Sequence, residues 1–308
     1  MSEQTIAFGQ KRTIGQVVGR KLRVWASRIS SRDTGSGTRR QTIRVGGKSY
    51  TVFGAAEDPY FRTLQGEIEN FPALLAYSAA ALKPDSVVLD VGANIGLTTL
   101  IFCSLVPRGH VFAFEASPAN AQFLRMNLKE NGFTNCTVFE TAVGSEAGET
   151  LLSTGGAGSH VMTEAHLYRS EWPSVKVPII TIDQAVTDMK IDKLDFIKMD
   201  IEGFEPMALS GAVETLKKHR PKIFMEFNSW SLYFAHRFDP LAFATSLWRA
   251  FEVKGFDKTG KASTLSDPIK FVHNNMTQNG CVDDLLLTPL VPFNLDSAQQ
   301  MVTASLQR

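Results

Sequence analysis

Short apolar runs alternate with segments of helical composition from Val87 onward, and this alternation constrains the fold more than any other feature of the sequence. It is typical of an α/β protein, in which helices cover both faces of a mostly parallel sheet. The predicted sheet strands are Val87–Val91, His110–Glu115, Cys136–Val143, Leu194–Asp200, Lys222–Phe227 and Asp283–Pro289. The predicted helices are Gly96–Leu105, Ala119–Asn131 and Pro206–His219. The segments LLSTGG and VKVPIITID interrupt the alternation and predict an inserted pair of short strands.

The first part of the chain has a different composition. Eleven basic residues and the single acid Asp33 lie between Lys11 and Lys48. Apolar residues recur at helical spacing from Ile14 to Ile29, which predicts a basic amphipathic helix, and Gly46-Gly47 predicts the turn of a β-hairpin. The helix is interpreted as an accessory element on the main domain, or as a contact surface for an anionic membrane or an acidic partner.

Three parts of the chain are expected: an N-terminal extension (1–58), a main domain (59–292) that opens with helices, and a tail (293–308). The 32 basic and 31 acidic residues give a net charge of +1, so nucleic acid is not an expected partner. The three cysteines lie far apart, and the sequence has neither a signal-peptide pattern nor a membrane-span pattern. These features predict a cytoplasmic protein without a disulfide framework. The oligomeric state is left open.

A glycine-containing turn, Asp90-Val-Gly-Ala-Asn-Ile-Gly96, follows the first predicted sheet strand. Glycines in such a turn let the backbone bend tightly and approach a ligand closely. Glu115 ends the next strand, at a position from which a carboxylate can accept hydrogen bonds from both hydroxyls of a ribose. The turn and the acid together predict a nucleoside site at the carboxyl ends of the strands.

The residues alone leave three interpretations of this turn open. A dinucleotide loop has glycine where this chain has Asn94, so the clearance for a pyrophosphate is lost. Asp90 would repel a diphosphate and attract an ammonium group. S-adenosylmethionine has an ammonium group, a ribose diol and no phosphate. The turn therefore favours S-adenosylmethionine over a nicotinamide or flavin dinucleotide and over a purely structural turn.

Six segments in fixed order resemble the FkbM-type S-adenosylmethionine-dependent methyltransferases: VVLDVGANIG, FAFEASP, TAVG, TIDQ, LDFIKMDIEGFE and IFMEFN. The resemblance covers roughly Phe71 to Pro289. It implies the Rossmann-like sheet of class I methyltransferases, with seven mostly parallel strands of which the last is antiparallel. The N-terminal helix and hairpin lie outside the resemblance.

The resemblance also implies which residues contact the cofactor. Asp90, Gly92, Ala93, Asn94 and Gly96 would face the methionine portion, and Glu115 would bind the ribose hydroxyls. Ala116 and Ser117 would lie near the ribose and adenine, and Thr141 and Ala142 would contact the adenine.

Acidic residues end the fourth and fifth predicted strands, where the methyl group would meet its acceptor. Asp200 and Glu202 follow strand four, and Glu226 and Asn228 end strand five. Methyl transfer needs an aligned acceptor and a group that takes its proton, so Asp200 and Glu202 are candidate catalytic residues. Capping of the following helix is the alternative role of Asp200. A divalent cation among these acids is a second alternative, but their spacing matches no known metal motif, so no metal ligand is assigned.

His160 follows a glycine-rich loop beside the expected acceptor entrance and is the third candidate catalytic residue, because a neutral histidine can accept a hydroxyl proton. The alternative is an ordinary loop residue. Lys198 is expected to extend its ammonium group from an apolar strand toward polar surroundings. The aromatic residues Trp230, Tyr233, Phe234 and Phe238 are expected in the core or a lid more than in a substrate cage.

The sequence therefore predicts an S-adenosylmethionine-dependent methyltransferase that methylates a hydroxyl of a sugar or another small metabolite. Oxygen as the acceptor atom follows from the resemblance and the acidic cleft. The alternatives are a dinucleotide-dependent oxidoreductase, a nucleic-acid methyltransferase that uses Lys11–Lys48 to bind phosphates, and a non-catalytic binding protein.

Overall fold

The computed structural model describes residues 37–69, 72–154, 159–163, 173–257, 259–296 and 300–301. The predicted basic helix lies outside the described residues. The described part begins with an antiparallel hairpin of β1 (Thr38–Val45) and β2 (Lys48–Ala55). Gly46 and Gly47 have φ angles of +55° and +79°, which the tight turn between the strands requires. The predicted hairpin is confirmed.

An eight-stranded sheet forms the centre of the molecule. Its strands are β3 (Val87–Val91), β4 (His110–Phe114), β5 (Cys136–Phe139), β9 (Phe196–Met199), β10 (Lys222–Asn228), β11 (Phe251–Phe256), β12 (Ala262–Thr264) and β13 (Val282–Pro289). Their order across the sheet is β12-β11-β13-β10-β9-β3-β4-β5. The pairs among β10, β9, β3, β4 and β5 are parallel, whereas β13 is antiparallel to both β10 and β11. The α/β fold class is confirmed.

The sheet has one strand more than expected, because β12 adds a short antiparallel edge to β11. The strand β11 itself was not located from the sequence, although its burial alternates along the strand. A smaller sheet contains β6 (Ala142–Val143), β7 (Gly148–Ser153) and β8 (Ser174–Ile180) in the order β6-β8-β7. Strands β7 and β8 are the predicted inserted pair, and they are antiparallel.

The helices cover both faces of the large sheet. They are α1 (Pro59–Arg62), α2 (Leu64–Glu69), α3 (Pro72–Ala81), α4 (Leu97–Leu105), α5 (Pro118–Glu130), α6 (Ile182–Asp188), α7 (Glu205–Ser210), α8 (Val213–His219), α9 (Pro240–Ala250) and α10 (Pro268–Thr277). A π-helical turn, Ser231–Ala235, follows β10. None of the helices in the described ranges is long and apolar enough to cross a membrane.

Two predicted elements are each divided in the structure. The single strand predicted for Cys136–Val143 is wrong, because after Phe139 the chain leaves the large sheet and Ala142 pairs with Ile179 in the small one. The single helix predicted for Pro206–His219 is also wrong. The carbonyl of Gly211 accepts a hydrogen bond from the backbone of Asp183 at 2.8 Å instead of continuing the helix.

The side chain of Asp183 starts the second of these helices. Its carboxylate accepts hydrogen bonds from the backbone N–H groups of Glu214 and Thr215 at 3.1 and 2.7 Å. A residue on α6 therefore caps α8, and the break between α7 and α8 is a tertiary effect that local helical spacing does not contain.

Two apolar cores lie on opposite faces of the sheet, since successive residues of a strand point in opposite directions. Leu89 belongs to the core beneath α6 to α10, and Val88 belongs to the core beneath α3 to α5. The β1–β2 hairpin contributes Ile43 and Val52 to the second core. The hairpin therefore shares a core with the main domain, and the expected boundary near residue 58 stays a prediction.

We predict that Phe243→Ala lowers the free energy of unfolding by about 3–5 kcal/mol, because the ring leaves a cavity that the core fills only partly. Phe243 has 0% exposure and stacks on Phe227 with the ring centroids 5.8 Å apart. The measurement is denaturant unfolding. Ile269→Ala is the matched control: its side chain is 67% exposed, and a change within about 0.5 kcal/mol is expected. Equal losses in the two variants would contradict the assignment of this core.

Candidate functional site

The strand order of the large sheet reverses between β3 and β9, and a cavity opens there at the carboxyl ends of the strands. In open α/β sheets this is the position at which ligands bind. Ten of the predicted site residues line the cavity: Gly92, Ala93, Asn94, Glu115, Ala116, Thr141, Ala142, His160, Asp200 and Glu202. The fold thus brings candidate residues from separate strand ends together around one cavity.

The turn after β3 is shaped by close contact with the end of β9. Gly92 has a φ of +79°, and a Cβ atom on it would lie 1.9 Å from the carbonyl oxygen of Asp200. Asn94 also has a positive φ, +52°, and its side-chain oxygen accepts a hydrogen bond from the backbone of Ile95 at 2.8 Å. Gly92 is therefore required by the packing of the protein itself, and Asn94 stabilises its own left-handed conformation.

Glu115 is held by backbone donors at the mouth of β4. Its two carboxylate oxygens accept hydrogen bonds from the N–H groups of Asn94 at 2.7 Å and Ser117 at 2.8 Å. Burial raises the pKa of Glu115, and these two hydrogen bonds and the charge of Lys198 oppose that rise. A hydrogen bond from the side chain of Asn120 also favours the ionised form. A carboxylate has about four acceptor sites, so these bonds leave capacity to accept a ligand hydroxyl.

Asp90 lies beneath the turn. It has 0% exposure, and one carboxylate oxygen accepts hydrogen bonds from the hydroxyls of Thr98 at 2.8 Å and Thr99 at 2.6 Å. Thr98 lines the cavity, whereas the lining residues do not include Asp90. Any contact between Asp90 and a ligand would therefore pass through Thr98 or water, and the predicted role of Asp90 stays a prediction.

Of four further predicted cofactor residues, two line the cavity and two do not. Gly96 and Ser117 begin α4 and α5, and neither is among the cavity-lining residues. Thr141 lies at the cavity, and its hydroxyl donates to the carbonyl of Pro178 at 3.0 Å. The strand break that separates β5 from β6 thus places Thr141 and Ala142 beside the cavity. Their contacts with adenine remain predictions.

Lys198 occupies the centre of the site. Its ammonium donates to the carbonyl of Gly92 at 2.8 Å and lies 3.7 Å from Asp90 and 3.6 Å from Asp200. The side chain is 7% exposed. Burial would lower the pKa of Lys198, but the surrounding carboxylates outweigh burial and raise it. Lys198 is therefore a buried cation that joins the glycine turn to the end of β9.

A group of carboxylates lies on the other side of Lys198. Asp200, Glu226 and Asp284 all line the cavity, and Glu226 stands directly opposite Asp284 in the antiparallel pairing of β10 with β13. Burial is the main cause that raises the pKa of Glu226 well above its ordinary value, and burial together with Asp200 raises the pKa of Asp284 to about 7. The Asp200 side chain is 37% exposed and is the more accessible acid.

Glu202 and Glu205 belong to the turn between β9 and α7. Glu202 has a φ of +57°, and Gly203 packs so closely on the π-helical turn that a Cβ atom would lie 2.7 Å from the carbonyl carbon of Ser231. One oxygen of Glu205 accepts a hydrogen bond from the N–H of Ile201 at 2.9 Å. Burial raises the pKa of Glu205 to about 8. Sequence reasoning assigned no role to Glu205. In the structure its buried side chain stabilises this turn by accepting the hydrogen bond from Ile201.

His160 lies at the edge of the cavity and is buried. Its ring Nδ1 is 3.1 Å from the hydroxyl of Ser153, and its backbone N–H donates to the same hydroxyl at 3.0 Å. The ring of His236 meets that of His160 edge to face at 6.1 Å, and His236 Nε2 donates to the carbonyl of Glu202 at 3.0 Å. His160 is thus held by Ser153 and packs against His236, which in turn contacts the turn that contains Glu202.

The aromatic residues after β10 separate into two sets. Phe238 is buried and stacks on His236. Tyr233 and Phe234 are exposed and meet edge to face at 5.0 Å, and Phe234 also contacts Trp230. The expectation of a core position holds for Phe238 only.

A metal site is not formed by the part of the chain that the structure describes, since no group of three or more His, Cys, Asp or Glu residues there could hold an ion. The acids near Asp200 are instead compensated by Lys198. The three cysteines are free thiols.

Comparison with known families decides which of the open interpretations applies. Residues 90–257, from the turn after β3 to the end of β11, match the model of the Methyltransferase FkbM domain. The chain belongs to the FkbM methyltransferase family. The alternative of a dinucleotide-dependent oxidoreductase is therefore wrong, and S-adenosylmethionine is the methyl donor that FkbM family membership implies.

Three relatives of this chain are methyltransferases by name. The chain is 30% identical to the 2-O-methyltransferase NoeI of Sinorhizobium fredii over 165 residues. The matched region is 49% of this chain and 67% of NoeI. The chain is 28% identical to the hexuronic acid methyltransferase AglP of Haloferax volcanii, over 54% of this chain and 65% of AglP. It is 25% identical to the 31-O-demethyl-FK506 methyltransferase FkbM of Streptomyces tacrolimicus, over 42% of this chain and 60% of that enzyme.

The residues of the cavity fit the cofactor that the FkbM family uses. Glu115 presents two fixed acceptor oxygens, which suits a ribose diol, and the partly exposed carboxylate of Asp200 lines the same cavity, where it can face a sulfonium ion. Lys198 is the residue that sequence reasoning undervalued. The available signal was its position two residues before Asp200 in the predicted strand Leu194–Asp200, which places both side chains on one face.

We predict that Glu205→Gln changes how the free energy of unfolding of this protein depends on pH. The carboxyl has a pKa of about 8 in the folded protein against an ordinary value of 4.5, so the folded state holds a proton that the unfolded state releases, and stability falls as pH rises between these values. Glutamine keeps the acceptor oxygen and removes the titration. The variant should therefore gain stability relative to wild type at pH 8 compared with pH 5.

The measurement is the free energy of unfolding in denaturant at the two pH values. Asp284 titrates in both proteins, so its contribution cancels in the difference between the curves. The charge of Glu205 also helps to raise the pKa of Glu226, so its removal lowers that pKa and adds to the expected gain at pH 8. If the difference in free energy of unfolding between the variant and wild type is the same at pH 5 and pH 8, Glu205 is ionised in the folded protein.

Proposed function

We propose that this protein transfers the methyl group of S-adenosylmethionine to a hydroxyl oxygen of a sugar or another small metabolite. The observation that carries the proposal is one cavity that joins the glycine turn and Glu115 at one side to Asp200, Glu202 and His160 at the other. The names of NoeI, AglP and the Streptomyces FkbM, which methylate oxygen or a sugar acid, support an oxygen acceptor on a small molecule.

When bound, S-adenosylmethionine supplies an electrophilic methyl group on a positively charged sulfur. The protein's tasks are to hold the ribose, align the acceptor and take the acceptor proton. Glu115 holds the ribose hydroxyls with its two fixed oxygens. The acceptor oxygen forms a bond to the methyl carbon while the carbon–sulfur bond breaks and its electron pair stays on sulfur. The hydroxyl proton passes to a side chain of the cavity.

Asp200 is our first choice for the residue that positions the acceptor or receives this proton. It directly follows β9 and is the more exposed of the acids around Lys198. His160 and Glu202 also line the cavity and are the other candidates.

The basic N-terminal segment does not enter this proposal. Most of Lys11–Lys48 lies outside the described residues, so contact with nucleic acid, an anionic membrane or an acidic partner through it remains a prediction from composition. A cytoplasmic location likewise remains a prediction.

The proposed function is tested by incubating the protein with pools of small metabolites and S-adenosylmethionine that carries an isotope-labelled methyl group. Mass spectrometry should find the label on a hydroxyl-bearing molecule as a methyl ether. Label that appears only on nitrogen, or on added RNA or DNA, would overturn the choice of acceptor.

Glu115→Ala should weaken S-adenosylmethionine binding by about 10- to 100-fold, because hydrogen bonds to a charged acceptor are worth about 1.5–3 kcal/mol. Titration calorimetry measures the affinity. Glu149→Gln, which removes an exposed carboxylate on β7, is the control and should bind as wild type does. Unchanged affinity in Glu115→Ala would remove Glu115 from the ribose site.

Asp200→Asn should lower kcat by at least about 100-fold, which is the usual scale of a lost proton acceptor, and should leave the denaturation midpoint close to that of wild type. The exposure of Asp200 is the reason for the small effect on stability. Asp192→Asn on the surface is the matched control. Full activity of Asp200→Asn on the acceptor that the labelling experiment identifies would assign the proton transfer to His160 or Glu202.

A further inference from the structure

Lys198 is the only lysine or arginine among the described residues that line the cavity. Carboxylates face it from every element packed around it: Asp90 on β3, Glu115 after β4, Asp200 after its own strand β9, Glu226 on β10 and Asp284 on β13. A single buried cation therefore compensates a ring of acids drawn from five strands.

The ammonium has two separable functions. Its N–H donates to the carbonyl of Gly92 and so fixes the turn over which the cofactor would lie. Its charge acts on the acids, and it lowers the pKa of both Glu115 and Asp284 against the effect of their burial.

We infer that Lys198 is a positioning residue for the cofactor: its hydrogen bond to Gly92 holds the glycine turn against β9, and its charge offsets the carboxylates that line the cavity, where a cationic ligand would lie. This inference deepens the proposed function and rests on it. Lys198 does not touch the reacting atoms. It acts through Gly92, Glu115 and the acids near Asp200.

The two functions can be separated by substitution. Lys198→Gln keeps an N–H donor for the carbonyl of Gly92 but removes the charge, and Lys198→Arg keeps both. Lys222→Gln is the matched control for loss of a lysine charge, because Lys222 is exposed at the opposite end of β10, where it lies over the ring of Tyr77.

The experiment is titration calorimetry of the full-length protein with S-adenosylmethionine and with S-adenosylhomocysteine from pH 5 to pH 9. In Lys198→Gln the pH below which affinity falls should move upward by about one unit, because the acids lose their counter-charge and bind protons more readily. At pH 9 the ratio of S-adenosylmethionine to S-adenosylhomocysteine affinity should rise above that of wild type, because only the former carries the sulfonium charge. Lys198→Arg and Lys222→Gln should follow wild type.

A second measurement needs no cofactor. The free energy of unfolding of Lys198→Gln should fall more steeply than that of wild type as pH rises from 5 to 8. The folded-state pKa values of Glu115 and Asp284 are already raised, and they rise further above the unfolded values without the lysine, so more stability is lost through this window. This measurement also applies if Lys198→Gln binds cofactor too weakly for calorimetry. If that variant does not fold, Lys198→Met, which also removes the charge, takes its place in the unfolding measurement, and a pH dependence of stability equal to that of wild type would overturn the inference.

The outcomes distinguish the inference from the function on which it rests. Lack of S-adenosylmethionine binding by wild type would overturn the proposed function. Binding by wild type, with Lys198→Gln weaker by the same factor at every pH and an unchanged affinity ratio, would overturn the inference alone and leave Lys198 with a purely structural hydrogen bond.

Discussion

The contact between the turn after β3 and the end of β9 organises the whole site. Gly92 can approach the carbonyl of Asp200 only because it has no side chain, and Lys198 ties the carbonyl of Gly92 to the same strand. These two strands flank the point at which the sheet order reverses, and the crevice between them is where open α/β sheets bind their ligands. The family motif thus records a packing requirement as much as a ligand contact.

The buried carboxylates of the cavity are compensated by the charge of Lys198. Isolated carboxylates in such a buried place would bind protons, and Glu226, Asp284 and Glu205 have raised pKa values for this reason. Glu115 is protected in part by two backbone N–H groups and by Lys198. The cavity consequently has the fixed acceptor oxygens of Glu115 at one side and a group of acids next to the buried cation Lys198 at the other.

Much of this could be predicted because the decisive signals were local. The strand Val87–Val91, the turn that follows it and the acid that ends β4 lie within one short stretch whose pattern is typical of a nucleoside site. The hairpin at Gly46-Gly47 was predicted for the same reason, since two residues with positive φ specify the turn. The family resemblance then supplied the sheet order that no single segment contains.

What the sequence could not show depends on pairing between distant segments. The break after α7 comes from the cap that Asp183 provides, and the opposition of Glu226 and Asp284 comes from the register of two strands far apart in the chain. The roles of Lys198 and Glu205 depend on burial and on contacts with other loops, neither of which the spacing of residues reveals. The strand β11 was missed because its short alternation follows a helix without a turn signal.

The position of β13 has a consequence for how the molecule is made. This strand lies between β10 and β11, although both precede it in the chain. The strand edges of β10 and β11 that β13 joins in the finished sheet therefore lack this partner until residues 282–289 have been synthesised. Because Asp284 is on that strand, the acidic wall of the cavity is completed only when the sheet closes, and a nascent chain that lacks it has the glycine turn but not yet the finished pocket.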